Sequence, residues 1–227
     1  MHSPLASTPL FYLGPVPISA AVVTTWAIMA LLSVGAACCT RRLSLTPSKA
    51  QTVLELLVGT IDQQITDTMQ AAPLKYRALI GTLFLFILVC NWSSLLPGVE
   101  PPTAHVETDA ALALIVFGTT IFYGVRSRGL LRYLATFAEP TWIMIPLNLV
   151  EQITRTFSLM VRLFGNVMSG VFVVSIVLSL AGLLVPIPLM ALDLLTGTVQ
   201  AYIFTVLAMV FIGAALDDST SAVLKKT

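Results

Sequence analysis

Charge is scarce in this sequence. Only 10% of its 227 residues are Asp, Glu, Lys or Arg, against about a quarter in soluble domains, so a water-solvated globular surface is excluded. The formal net charge is +1, which provides no basic field for a nucleic-acid partner and no acidic field for a basic one. Cysteine is nearly absent. Cys38, Cys39 and Cys90 all fall in or at the end of apolar runs, with no His or second Cys pair at ligand spacing, so no disulfide framework and no metal site is expected. Cys38 and Cys39 suit acylation at a membrane exit, but small apolar filler is the simpler reading. No GxxxxGK[ST] loop occurs, so no nucleotide site of that kind is expected, and nothing calls for a cofactor. The N-terminal residues lack the Lys or Arg of a signal-peptide n-region, and the apolar run that follows is long enough to span; it is read as a retained first helix.

Apolar residues are what the chain has. They make up 57% of it, with mean hydropathy +0.93, and they cluster at Val16–Cys39, Ala78–Leu96, Ala110–Val125, Ile143–Val185 and Ile187–Leu216. The expected architecture is an all-α integral membrane protein, one membrane domain over residues 1–227. It has spans at 16–39, 78–96, 110–125, 143–185 and 187–216. Residues 49–70 differ. Leu54, Leu57, Ile61, Ile65 and Met69 recur at helical spacing while Gln51, Glu55, Asp62 and Asp67 take other faces. That pattern predicts an amphipathic helix on the bilayer surface, with Glu55, Asp62 and Asp67 as its solvated side.

Ten of the twelve basic residues flank the spans: Arg41, Arg42, Lys49, Lys75, Arg77, Arg126, Arg128, Arg132, Lys225 and Lys226. If the five spans alternate, all ten fall on one side. The N-terminal tail and the opposite loops, 97–109 and 185–188, contain no Lys or Arg. The positive-inside rule then predicts an outer N-terminus and a cytoplasmic C-terminus.

The fourth span is too long to stand upright. No proline lies between Pro146 and Pro186, and a continuous helix there would reach roughly 58 Å, against a hydrocarbon core of about 30 Å. Either the helix breaks near Gly165 or Gly170 or it lies steeply tilted. With the fifth span also long, a tilted hairpin turning at "VPIP" is favoured.

This fourth span carries a polar face. At 100° per residue Glu151, Arg155, Ser158, Arg162, Asn166 and Ser169 fall within an arc of about 80°. On the fifth span Asp193, Gly197 and Gln200 share a face, with Thr196 at its edge. The two stripes differ in depth, the first lying toward the cytoplasmic side and the second toward the outer side, where His105, Glu107 and Asp109 extend it. Two polar paths opening to opposite sides are expected, with Arg162 between them.

An intramembrane Arg costs from about 3 kcal/mol upward. Pairing with Glu151 or Asp193 would give it a structural role. A guanidinium does not release its proton, so Arg162 cannot carry one. It can hold a mobile carboxylate ionised and repel a cation crossing directly between the paths. No carboxylate of this chain can move past it, so the mobile one must belong to a partner. Glu151 and Arg155, four apart, also suit an ordinary intrahelical pair. Asn166 and Gln200 equally suit interhelical hydrogen bonds, and Asp193 a helix-end position.

Several segments, in order, resemble a known family: "NWSSLLPG" at Asn91–Gly98, "PPTAHVETDAALAL" at Pro101–Leu114, "IPLNLVEQITRTFSL" at Ile145–Leu159, "RLFGN" at Arg162–Asn166 and "VQAYIF" at Val199–Phe204. Together they are similar to subunit a of the F-type ATP synthase. The resemblance implies that Arg162 is the stator arginine facing the c-ring carboxylates, with the last two helices as a long tilted hairpin against that ring. It implies that Asn166, Gln200, Asp193, His105, Glu107, Asp109, Ser169 and Glu151 line two ion half-channels. The implied partners are the c ring, the b-subunit peripheral stalk, the rest of the F1Fo complex, the lipid bilayer and the translocated H+ or Na+. The implied location is the bacterial inner membrane, with ATP chemistry on other subunits. Departures from the family pattern concern the outer channel: Val171 stands where an ionisable residue is common, Asp193 where its partner is usual, His105 and Glu107 where Asp and Asn are usual, and Thr156 where a Pro is common. A divergent, sodium-coupled enzyme is one expectation from them.

Two other classes compete. A secondary transporter keeps ionisable groups in the membrane but commonly shows repeated halves, and none is seen here. An anchor subunit would account for the hydrophobicity and leave the polar stripe unexplained.

Overall fold

The computed structural model describes residues 9–13, 16–40, 49–96, 99, 101–130, 144–181 and 185–224. Among these, five helices are long and apolar enough to cross a membrane, as the all-α membrane reading requires. In chain order the helices are α1 (Ala20–Thr40), α2 (Lys49–Met69), α3 (Arg77–Trp92), α4 (Val106–Arg128), α5 (Met144–Ala181) and α6 (Pro186–Leu224). Short 3-10 turns at Pro73–Lys75, Ser93–Leu95 and Pro102–Ala104 join some of them. Arg41, Arg42, Arg132, Lys225 and Lys226 lie outside the described residues, as do 182–184 of the expected hairpin turn.

A small antiparallel hairpin, β1 (Pro9–Leu13) with β2 (Val16–Ser19), precedes α1 and was not foreseen. Its reason is local. Pro17 disfavours helix at Val16 before it and breaks the ladder a helix would need, so α1 starts at Ala20 rather than Val16. Among the described side chains of α1 only Ala21 and Ile28 are buried; the helix is apolar all round, as a lipid-facing one is.

α6 is the axis of the bundle. It packs against α3, α4 and α5, and α2 crosses it near its C-terminal end. Leu83 and Ile87 of α3, Leu112, Ala113 and Val116 of α4, Leu159, Leu163 and Val167 of α5 and Ala201, Phe204 and Ala208 of α6 form one core. Small Ala201 and Ala208 flank Phe204, so one large ring fills the space where four helices converge. α5 is continuous through Gly165 and Gly170; neither breaks it, and its 38 residues reach about 57 Å at 1.5 Å each.

α2 does more than lie on a surface. Ile65 and Met69 are buried with Tyr76, Ile80, Met209 and Ile212 in a second core that clamps the helix onto α3 and α6. Asp62, expected on the solvated side, instead receives both Arg77 Nε, at 2.6 Å, and Arg77 Nη2. The opposite side keeps Val53 and Leu56 exposed. Helix ends are marked in the usual chemistry: α4 stops at Gly129, whose φ of 81° lets its N–H reach Val125 O at 2.7 Å.

The ends of the helices sort by side. Tyr76 and Tyr123 stack edge-on with ring centroids 4.8 Å apart, and Tyr123 Oη donates to Lys75 O at 3.3 Å. This sets Lys75 and Arg77 beside the Arg126 end of α4, with Met209 and Ile212 of α6 nearby. The opposite ends meet where Ser94 reaches Asp193.

Candidate functional site: a lone arginine between two polar cavities

The two faces of α5 differ sharply. Leu159, Leu163 and Val167 turn inward and are buried. About 100° away, Glu151, Arg155, Ser158, Arg162 and Ser169 are exposed on the outside of the bundle, with Asn166 partly covered. The helix keeps both because its apolar and polar residues repeat at 3 and 4 spacing in parallel.

Arg162 has no ion-pair or hydrogen-bond partner among the described residues. Both acids that could have neutralised it are engaged elsewhere. Glu151 pairs with Arg155 four residues on, and the Arg155 guanidinium also sits 5.5 Å from the centre of the Phe211 ring. The Asp193 carboxylate accepts from Ser94 Oγ at 3.1 Å.

A groove of about 620 Å³ runs along α5 past Glu151, Thr154, Arg155 and Ser158 to Arg162, closed on its far wall by Leu207 and Phe211 of α6. A second cavity of about 200 Å³ begins at Asn166 and continues past Ser169 and Gly170 to Asp193 and Thr196 of α6. The first ends at Arg162 and the second starts at Asn166, which is about one helical turn, or 6 Å of rise, further on. Opposite on α6, neither lining includes any residue from Gly197 to Val206.

The second cavity depends on a glycine. A Cβ on Gly170 would overlap the Asp193 carboxylate, so the carboxylate occupies space that residue 170 leaves open by having no side chain. Ser94 Oγ donates to Asp193 Oδ2 and also lies 2.8 Å from Asn91 O. Asn91 in turn donates to Gly197 O at 2.8 Å and accepts from Thr103 Oγ1 at 2.8 Å. A polar chain therefore runs from Asp193 through the end of α3 to the Pro102–Ala104 turn.

The remaining sequence-derived residues are not brought into these cavities. Gln200 is turned into the bundle, 7% exposed, with Nε2 buried and unpartnered. His105, Glu107 and Asp109 do not act as one group: Glu107 is exposed, His105 half-buried and Asp109 fully enclosed at 0% exposure. Val171 packs against the central core. Sequence reasoning missed Asn91, Ser94, Thr103 and Gly170 as contributors. An amide near the end of an apolar run at Asn91 was the signal available for the first. The described residues contain no group of three or more His, Cys, Asp or Glu suited to a metal.

A profile of the family described as ATP synthase A chain matches residues 22–213. The chain is 58% identical over 216 residues to "ATP synthase subunit a 2" of Bradyrhizobium sp. (strain BTAi1 / ATCC BAA-1182), covering 95% of this chain and 97% of that protein. It is 46% identical over 226 residues to "ATP synthase subunit a 1" of Chlorobaculum parvum, covering 97% and 100%. It is also 45% identical over 204 residues to "ATP synthase subunit a" of Albidiferax ferrireducens, covering 89% and 88%.

Proposed function

Because the chain belongs to the ATP synthase A chain family, a multi-pass bacterial membrane component of the F1Fo complex, we propose that it is the stator through which ions reach and leave the rotor. The observation that carries this reading is the exposed Arg162, without a partner among the described residues, which ends one groove and lies about one helical turn from the start of a separate second cavity. A ring of c subunits turns past the α5 face, and its carboxylate meets Arg162. Ions enter from the outer side by the Asn166–Asp193 cavity, whose lining does not include His105, Glu107, Asp109 or Gln200. They leave by the groove lined by Glu151, Arg155 and Ser158. The peripheral stalk, including the b subunit, holds the chain still.

Magnitudes support the gate. Two like charges about 4 Å apart repel by about 4 kcal/mol at an effective dielectric of about 20. A membrane potential supplies about 2.3 kcal/mol per elementary charge per 100 mV. A cation attempting the short path beside Arg162 therefore meets a barrier larger than its driving force. A neutralised ion carried on the ring's carboxylate does not, and must travel the long way round. The coupling ion is H+ or Na+. The chain sits in the inner membrane, N-terminus outside, C-terminus and the Lys75, Arg77 and Arg126 ends cytoplasmic. α5 and α6 tilt to fit the bilayer, because about 57 Å of helix exceeds a core of about 30 Å.

Substitution Arg162→Ala in the purified complex reconstituted into liposomes tests this. Loss of ATP-driven ion uptake with a normal subunit inventory supports the stator role. Loss of some solute's uptake alone points to a transporter, and unchanged uptake with poor assembly to an anchor. Loading the liposome assay with Na+ alone or H+ alone as the transported ion decides the coupling ion: uptake of protons only rejects sodium coupling.

A further inference from the structure

Asp109 belongs to neither cavity. It lies in the first turn of α4, its residue is 0% exposed, and both carboxylate oxygens are enclosed without a hydrogen-bond partner. A carboxylate removed from water is stable only when something small meets it: a cation, water or its own proton. The Pro102–Ala104 turn next to it in sequence packs against both α3 and α4. Thr103, also 0% exposed, gives its hydroxyl proton to Asn91 Oδ1 at 2.8 Å, which leaves its own oxygen lone pairs unused. Cys90 is within electrostatic reach of Asp109, so the last turn of α3 lies close by; its Cys90 and Asn91 carbonyls accept from Ser93 Oγ and Ser94 Oγ, each carbonyl oxygen having two lone pairs. Helix C-termini of this kind are a common half of alkali-ion sites in membrane proteins. Gln200 lies one turn beyond Gly197, the residue Asn91 holds. Its Nε2 is likewise buried and unpartnered. Pro101 and Pro102, both buried, precede Thr103 with φ fixed by their rings.

We infer that Asp109, with Thr103 and the C-terminal end of α3, forms an occluded site for one small monovalent cation, separate from the two open cavities flanking Arg162. Oxygen ligands and a single carboxylate suit a hard cation held by charge and neutral dipoles. The inference rests on the stator reading only for the source of the cation; the site itself is a property of the α3, α4 and α6 packing.

The test is infrared difference spectroscopy on the whole reconstituted complex, with Na+ as the probe and choline as the control. Na+ minus Na+-free spectra of the unmodified complex are compared with those of Asp109→Asn, so that any response of ring carboxylates cancels. The expected result is complete loss of one protonated-carboxyl band per complex on adding Na+, absent from Asp109→Asn. Identical responses in both complexes, or a band indifferent to Na+, overturn the site. Should Asp109→Asn fail to assemble, Asp109→Glu replaces it: a band at a shifted frequency that still vanishes with Na+ supports the site, and one that ignores Na+ overturns it. The Arg162→Ala complex keeps the two readings apart. Coupled uptake surviving there defeats the stator reading and leaves the Asp109 band as it was, whereas a Na+-blind Asp109 defeats only the occluded site.

Discussion

One helix shows two treatments of the same apolar surroundings. The inner face of α5 buries Leu159, Leu163 and Val167 against α4 and α6. Its outer face exposes a polar stripe in which Arg162 has no partner among the described residues. The inner face behaves like any protein interior, in which each methylene has neighbours and removing one leaves a void. The outer face keeps an unneutralised charge at a cost of about 3 kcal/mol or more in a bilayer, with nothing among the described residues to offset it. Adjacent residues, Arg162 and Leu163, thus differ in role: Leu163 holds the bundle together, and Arg162, in the function proposed above, meets a charge on another molecule.

That division can be broken by substitution. Leu163→Ala, at 0% exposure, is expected to destabilise by about 2–5 kcal/mol, read as a lower temperature at which this chain leaves the purified complex. Arg162→Ala in the same assay is expected to shift that temperature hardly at all while abolishing transport. A large thermal effect at Arg162 would mean the two faces are not separate after all.

Asn91→Ala sharpens the comparison from the interior. It strands the Thr103 hydroxyl and removes the second partner of the Gly197 carbonyl, and is expected to cost about 1–3 kcal/mol in the thermal assay. Gly170→Ala tests the border between interior and cavity. The added methyl overlaps the Asp193 carboxylate, and overpacking of this kind costs about 1–3 kcal/mol. The double variant Gly170→Ala with Asp193→Ser is expected to recover the stability but not the transport, a non-additivity measured by a double-mutant cycle. At the small end, Glu151→Gln on the exposed stripe breaks a half-exposed pair with Arg155 and is expected to change stability by at most about 0.5 kcal/mol.

Much of the inner–outer division was readable beforehand. Periodicity locates the stripe on α5 because helical spacing reports which residues of one helix share a face. It also isolates Arg162, since the other cations either flank spans or, like Arg155, have an acid four residues away. What periodicity cannot report is register between helices. That Asp62 pairs with Arg77 across the turn after α2, and that Gly170 accommodates the Asp193 carboxylate, depends on how far helices slide along one another. Burial was misjudged for the same reason: His105, Glu107 and Asp109 look equivalent as a polar cluster, yet α4 begins at Val106 and its turn carries Asp109 inward while Glu107 faces out. Gln200 is buried and outside both cavity linings, a placement set by packing that spacing along α6 does not report. The N-terminal hairpin was overlooked because an apolar run was weighed by length and the proline inside it was not.

Passive ion permeability of membranes carrying the Arg162→Ala complex addresses the isolated charge most directly. With the guanidinium gone, an imposed ion gradient is expected to collapse through the complex without ATP turnover, while Leu163→Ala complexes that remain assembled stay tight. A membrane that remains tight with Arg162→Ala and still couples ATP hydrolysis to ion uptake would contradict the claim that this one charge separates the two paths.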